Sequence, residues 1–179
     1  HYRAELGDFF GFDLAQVLPY NLSRTFHVQL AIFFVSTSFL AAGIFLAPMI
    51  AGREPRGQGK LAYVLLGALA LVVFGSLIGE FAGVHGWLGG LGGLVGNQGF
   101  EYLDLGRVWQ AALFVGLLLW LFLIARSGIA ALKEKANNKS LILLYLGTTA
   151  GIALFYSPGL FWGMRSHISV VEYWRWWVV

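Results

Sequence analysis

The sequence predicts an all-α protein, a polytopic transmembrane helix bundle of about four spans plus the start of a fifth. Three observations carry that prediction. Apolar residues make up 58% of the chain and charged residues only 12%, more apolar material than one soluble core of 179 residues can absorb. Four apolar stretches approach or exceed the ~20 residues needed to cross a bilayer at ~1.5 Å of rise each. The connectors between them alternate in charge. Backbone groups in lipid must be satisfied within their own segment, and no stretch alternates apolar and polar residues as a barrel strand does, so the spans are helices.

The spans fall roughly at residues 25–51, 61–79, 108–125 and 141–156, the last short and extended through Ser140 or Ser157. A further helix begins near Val170. The connector 52–60 carries Arg53, Arg56 and Lys60 against Glu54, and the connector 126–140 carries Arg126, Lys133, Lys135 and Lys139 against Glu134. Excess positive charge places both at the cytoplasm. The N-terminal stretch has Glu5, Asp8 and Asp13 against Arg3 and Arg24, and the outer loop 80–107 has Glu80, Glu101 and Asp104 against Arg107. Those two lie outside, with the connector 158–169. The net charge of +3 therefore reports topology and implies no nucleic acid.

Trp87, Trp109, Trp162, Trp174, Trp176 and Trp177 all fall near the outer boundaries, where an interfacial aromatic belt is expected. The glycine run at 89–93 has no Gly-Lys-Ser and no strand context, so it reads as turns in the outer loop and not as a phosphate cradle. Gly67, Gly75 and Gly79 read as close helix contacts. Without cysteine the chain builds no disulfide, iron–sulfur cluster or thiolate metal site. It opens on His1 and stops in the apolar run Trp-Arg-Trp-Trp-Val-Val, which reads as an excerpt of a longer protein.

Few residues are suited to chemistry. His27 lies just inside the first span, where an imidazole is costly in hydrocarbon and faces a cavity, a partner or a cofactor. It is either hydrogen-bonded to a neighbouring helix or an axial ligand to haem iron. Arg24, one turn further out, pairs with a haem propionate or snorkels to the interface. His1, Glu5 and Phe9 recur every four residues and form one helical stripe. An imidazole and a carboxylate beside a ring suit a quinol, whose protons they can accept; the alternative is a solvated His–Glu pair. Glu101 and Asp104 can share a hard cation such as calcium, or serve as acids at a helix N-terminus beside Arg107. His85 and His167 read as surface residues, and Glu172 as a weak candidate for a proton-conducting acid.

Three motifs then coincide. Leu-Pro-Tyr-Asn-Leu-Ser-Arg-Thr-Phe-His (18–27), Glu-Tyr-Leu-Asp-Leu-Gly-Arg (101–107) and Tyr-Trp-Arg-Trp-Trp-Val-Val (173–179) resemble nitric oxide reductases of the haem–copper oxidase superfamily, and in the family's order. The head segment resembles the quinol-dependent branch. The resemblance implies that residues 1–179 are one transmembrane segment of a longer catalytic subunit, with residues 1–24 forming the outer-side quinol pocket. It implies His27 as a ligand of low-spin haem b, with Arg24 near the propionates, and His1, Glu5 and Phe9 as the quinol pocket. It further implies Glu101 as a calcium ligand and the Ser38 backbone carbonyl as a second, although the family has glycine where Ser38 stands.

A high-spin haem b and a non-haem iron are implied as well, held by residues beyond Val179. The implied partners are a membrane quinol, nitric oxide, the lipid bilayer and the remaining helices of the same polypeptide, in a bacterial or archaeal cytoplasmic membrane. Three rivals remain. The cytochrome c-dependent branch is disfavoured by the His1, Glu5, Phe9 stripe. A quinone-linked cytochrome b anchor demands a second membrane histidine on an opposing helix, and a transporter or scaffold demands internal repeats. Neither demand is met by the sequence.

Overall fold

The computed structural model describes residues 11, 13–98, 103–133, 138–163 and 165–178, with no side chain described for Trp177 or Val178. Four helices are long and apolar enough to cross a membrane. We number them α1 (Tyr20–Ala51), α2 (Gln58–Val84), α3 (Arg107–Lys133) and α4 (Lys139–Tyr156); an eleven-residue helix, α5 (Ile168–Val178), follows. The α-helical transmembrane architecture read from hydropathy is the one observed.

The helices overrun the expected spans. α1 begins at Tyr20, after Pro19 whose fixed φ suits a helix start, and ends at Gly52, which adopts φ 75°. Its 32 residues make ~48 Å of helix, well beyond a ~30 Å hydrocarbon layer. α3 runs on through Arg126 to Lys133, so these two charges sit on its last turns and not in a connector. α2 continues through Glu80 to Val84, which puts a carboxyl expected in a loop inside a membrane helix.

α3 is the central helix and packs against α1, α2 and α4. The buried core is Ala47, Leu65, Trp120, Leu123 and Ile124. Trp120 lies so close to α1 that a Cβ on Gly43 would sit 2.7 Å from its ring. That approach lets Trp120 Nε1 donate to the Leu40 carbonyl at 2.9 Å, while the Tyr145 hydroxyl of α4 donates to the Gly43 carbonyl at 2.6 Å. At the other end, Trp109 of α3 rests on Gly75 and Gly79 of α2, close packing of the small-residue kind. Gly67 differs: nothing lies within 4 Å of where its Cβ would be, so it makes no such contact.

Between α2 and α3 the chain turns at Gly86 (φ 74°), passes a 3-10 turn at Gly89–Leu91 and one helical turn at Gly92–Val95, then forms a two-residue antiparallel ladder. β1 (Asn97–Gln98) pairs with β2 (Asp104–Leu105), Asn97 opposite Leu105 and Gln98 opposite Asp104. Of the expected belt, Trp87 and Trp176 are exposed, whereas Trp162 is buried and Trp109 is half-buried against α2. Trp109 fills the space left by Gly75 and Gly79, and the Trp162 ring lies under the Arg175 guanidinium.

Candidate functional site

α1 carries His27. Because the helix begins at Tyr20, His27 stands seven residues, ~10 Å of helix, inside it, deeper than a start at residue 25 implies. Among the buried and half-buried residues of α1, Leu22, Phe26, Gln29, Phe33, Gly43 and Ala47 share one stripe, which packs against α2 and α3. His27, Ala31, Phe34, Ser38 and Phe45 form the exposed stripe. The imidazole therefore leaves the bundle on an apolar, unburied face, near its outer end as the charge pattern assigns it. Arg24 is half-buried one turn further out. An imidazole set among exposed apolar side chains fits one axial ligand of a haem lying on this face. No group of three or more His, Cys, Asp or Glu side chains that could hold a metal ion gathers among the described residues.

A second polar group lies behind α1. Glu80 is 0% exposed. The Gln29 amide, assigned from its partners with nitrogen toward Glu80, donates to both carboxylate oxygens at 2.9 and 2.8 Å. Its oxygen lies 3.1 Å from the Ser76 hydroxyl, which is also 3.0 Å from the Val73 carbonyl. A carboxyl at this depth without such a partner would cost several kcal/mol.

The third group joins the connector between α2 and α3 to α5. Arg175 forms an ion pair with Asp104 on β2 and another with Glu172 at 2.6 Å, and its guanidinium stacks 5.3 Å above the Trp162 ring. Burial pushes the Asp104 carboxyl above the ordinary carboxylate range, and the Arg175 guanidinium opposes that rise. Asp104 is not at a helix N-terminus and its partner is Arg175, not Arg107. Arg107 instead donates to Gln110 Oε1 and the Leu160 carbonyl, both at 3.0 Å, and to the Trp162 carbonyl. It thereby pins the connector after α4 to the start of α3.

The other predicted residues separate cleanly. His85 contacts the Phe81 carbonyl at 2.8 Å and stacks on the Phe81 ring, and His167 accepts from Ser169 at the start of α5; both serve local structure. Ser38 shares the His27 stripe but lies eleven residues, ~16 Å, further along α1, where its hydroxyl donates to the Phe34 carbonyl at 2.9 Å. It is not brought to the outer end. His1, Glu5, Phe9 and Glu101 lie outside the described residues.

Sequence reasoning placed Glu80 in a loop, with packing or ion coupling only under the transporter or scaffold alternative, and gave no role to Gln29 or Arg175. For Glu80 a signal existed: Phe81, Ala82, Gly83 and Val84 resume the apolar run after it, which marks an acid within a span. For Gln29 and Arg175 there was none, since their partners lie 51 and 71 positions away along the chain.

Four helices long and apolar enough to cross a membrane, packed around α3 and joined at one end by the Arg107 and Arg175 contacts, describe a polytopic membrane protein. The chain belongs to the cytochrome c and quinol oxidase polypeptide I family, whose family model matches residues 3–179. Membership makes it part of a haem–copper-oxidase-type oxidoreductase, an integral membrane protein of a family that binds haem and metal cofactors.

Proposed function

We propose that this chain is the N-terminal transmembrane portion of a quinol-dependent nitric oxide reductase. One observation supports the reading above all: His27 emerges from α1 on an apolar, exposed stripe near the outer end, where a ligand of low-spin haem belongs. The sequence motifs at 18–27, 101–107 and 173–179 select the nitric oxide reductases within the family.

In this proposal one quinol and two nitric oxide molecules give one quinone, one N2O and one water, so two electrons and two protons pass from quinol to product. His27 would hold a haem, which when bound would supply one-electron relay chemistry. The protein's own part is positional. His27 would present an imidazole nitrogen to the haem on the apolar face, and Arg24, a turn outward, would offset propionate charge. His1 and Glu5 accept the quinol's two protons while Phe9 packs on its ring. Glu101 would provide carboxylate oxygens to a calcium ion, which would offset propionate charge. Asp104 is engaged by Arg175, so the calcium assignment rests on Glu101 and not on its neighbour. The non-haem iron and the high-spin haem are assigned to residues outside this chain, in a bacterial or archaeal cytoplasmic membrane.

The test is the reduced-minus-oxidised spectrum of the full-length protein in detergent, wild type and His27→Ala. Loss of the low-spin b-type signal with the high-spin haem retained supports the proposal. An unchanged spectrum overturns it. Turnover of nitric oxide with quinol but not with reduced cytochrome c separates this branch from its cytochrome c-dependent relative.

A further inference from the structure

α1 is apolar on every side, so its hydrophobic pattern sets no preferred rotation about its own axis. In lipid, burial of one face is not favoured over another, and packing and polar contacts decide. The inner half of α1 is oriented by Gly43 against Trp120 and by the bonds accepted at the Leu40 and Gly43 carbonyls. His27 is sixteen residues, ~24 Å of helix, from Gly43. Long helices curve and twist over that distance, so the outer half needs its own restraint.

Gln29 provides it. Two residues beyond His27, it lies ~200° around the helix, so when the amide faces α2 the imidazole faces away from α2. The amide is bound to both oxygens of Glu80, the one carboxyl among the described residues that is fully buried within a span, and lies against Ser76. Turning the outer half of α1 by one residue position, ~100°, would withdraw the amide and strand a carboxyl in the low-dielectric interior.

We infer that Glu80 is a positioning residue: through Gln29 it sets the rotation of the outer half of α1 and hence the direction of the His27 imidazole. Neither residue touches the proposed haem face. This inference rests on the assignment of His27 as a haem ligand. It extends that assignment to two residues that make no contact with cofactor or substrate.

The experiment uses the full-length protein with both haems and reads the electron paramagnetic resonance signal of the ferric low-spin haem, which responds to imidazole orientation, together with its midpoint potential. The double variant Gln29→Leu/Glu80→Leu removes both polar groups with little change of volume, which avoids an unpaired buried carboxyl. We expect low-spin haem to remain in wild-type amount with a shifted signal and potential. Glu80→Gln keeps a hydrogen-bonding partner for Gln29 and is expected to retain the wild-type signal. Wild-type signal and potential in the double variant overturn the inference, as does an equal shift in Glu80→Gln. His27→Ala is measured alongside. Retention of its low-spin signal defeats the haem assignment itself, whereas its loss beside an unaltered double variant defeats only the role of Glu80.

Discussion

Gly79→Ala is expected to destabilise the end of the bundle where α2 meets the connector to α3 severely for the addition of one methyl group. The new Cβ would lie 1.9 Å from the Val95 carbonyl oxygen and 3.2 Å from Trp109 Nε1. Both partners are constrained, because the Trp109 indole donates to that same carbonyl at 2.7 Å. The Val95 oxygen belongs to the backbone and cannot rotate aside, so the helical turn at Gly92–Val95 must move away from α2 and the indole bond breaks with it. Overpacking of this kind costs roughly 1–3 kcal/mol. Loss of the hydrogen bond adds about 1 kcal/mol. The sum of about 2–4 kcal/mol corresponds to roughly a 30- to 900-fold change in the folding equilibrium. Gly67→Ala is the internal control: its Cβ meets nothing within 4 Å, and alanine is a better helix former by about 1 kcal/mol. Thermal retention of the monodisperse, haem-loaded protein in detergent, read by size exclusion with absorbance detection, ranks the pair. Gly79→Ala as stable as wild type would refute the close approach of α2 to the outer loop, and with it the placement of Asp104 beside α5.

Further outcomes follow from the outer cap. Arg107→Met removes donors from the Leu160 and Trp162 carbonyls and should cost about 2–4 kcal/mol by the same thermal assay, with faster proteolysis of the connector after α4. Asp104, raised by burial, binds its proton more tightly in the native protein than in the unfolded chain. Its contribution to stability is thus greatest below the unfolded value of about 3.9 and declines as pH rises through the native one. Asp104→Asn should flatten the stability profile across that window, and an unchanged profile would remove Asp104 as its source. Glu5→Gln should lower quinol-supported kcat by about 10²-fold if Glu5 accepts a quinol proton, with the haem spectra unaltered. Turnover at the wild-type rate in that variant would take Glu5 out of the quinol pocket.

Much of the architecture was legible without coordinates. The four spans stand out because a membrane helix must be apolar over its whole length, and that demand is local in sequence. Their ends were less legible. α1 starts five residues before Thr25 and α3 continues past Ala125, because hydropathy marks where lipid begins, whereas helix hydrogen bonding continues into the polar zone. Of the site, His27 and Arg24 could be singled out as costly groups near a span boundary. Glu80 was misplaced into a loop because an acid looks like a span end when its partner is unseen. Ser38, singled out only by the resemblance, shares the exposed stripe of α1 with His27 but lies eleven residues further along the helix.

The sequence by itself determined that this is a helical membrane protein, how many times it is able to cross, which connectors carry the positive charge, and that an imidazole enters the first helix near one end. Each of these is a one-body property, the free energy of transferring a segment or a charge into lipid, and is written in consecutive residues. The tertiary structure alone decided which face of each helix is covered, that Trp109 lies on Gly75 and Gly79, that Gln29 holds Glu80, and that Arg175 joins Asp104. These are two-body properties. In helices that are apolar all round no periodicity marks the contact face, and a polar pair between distant segments has no sequence signature until the chain has packed.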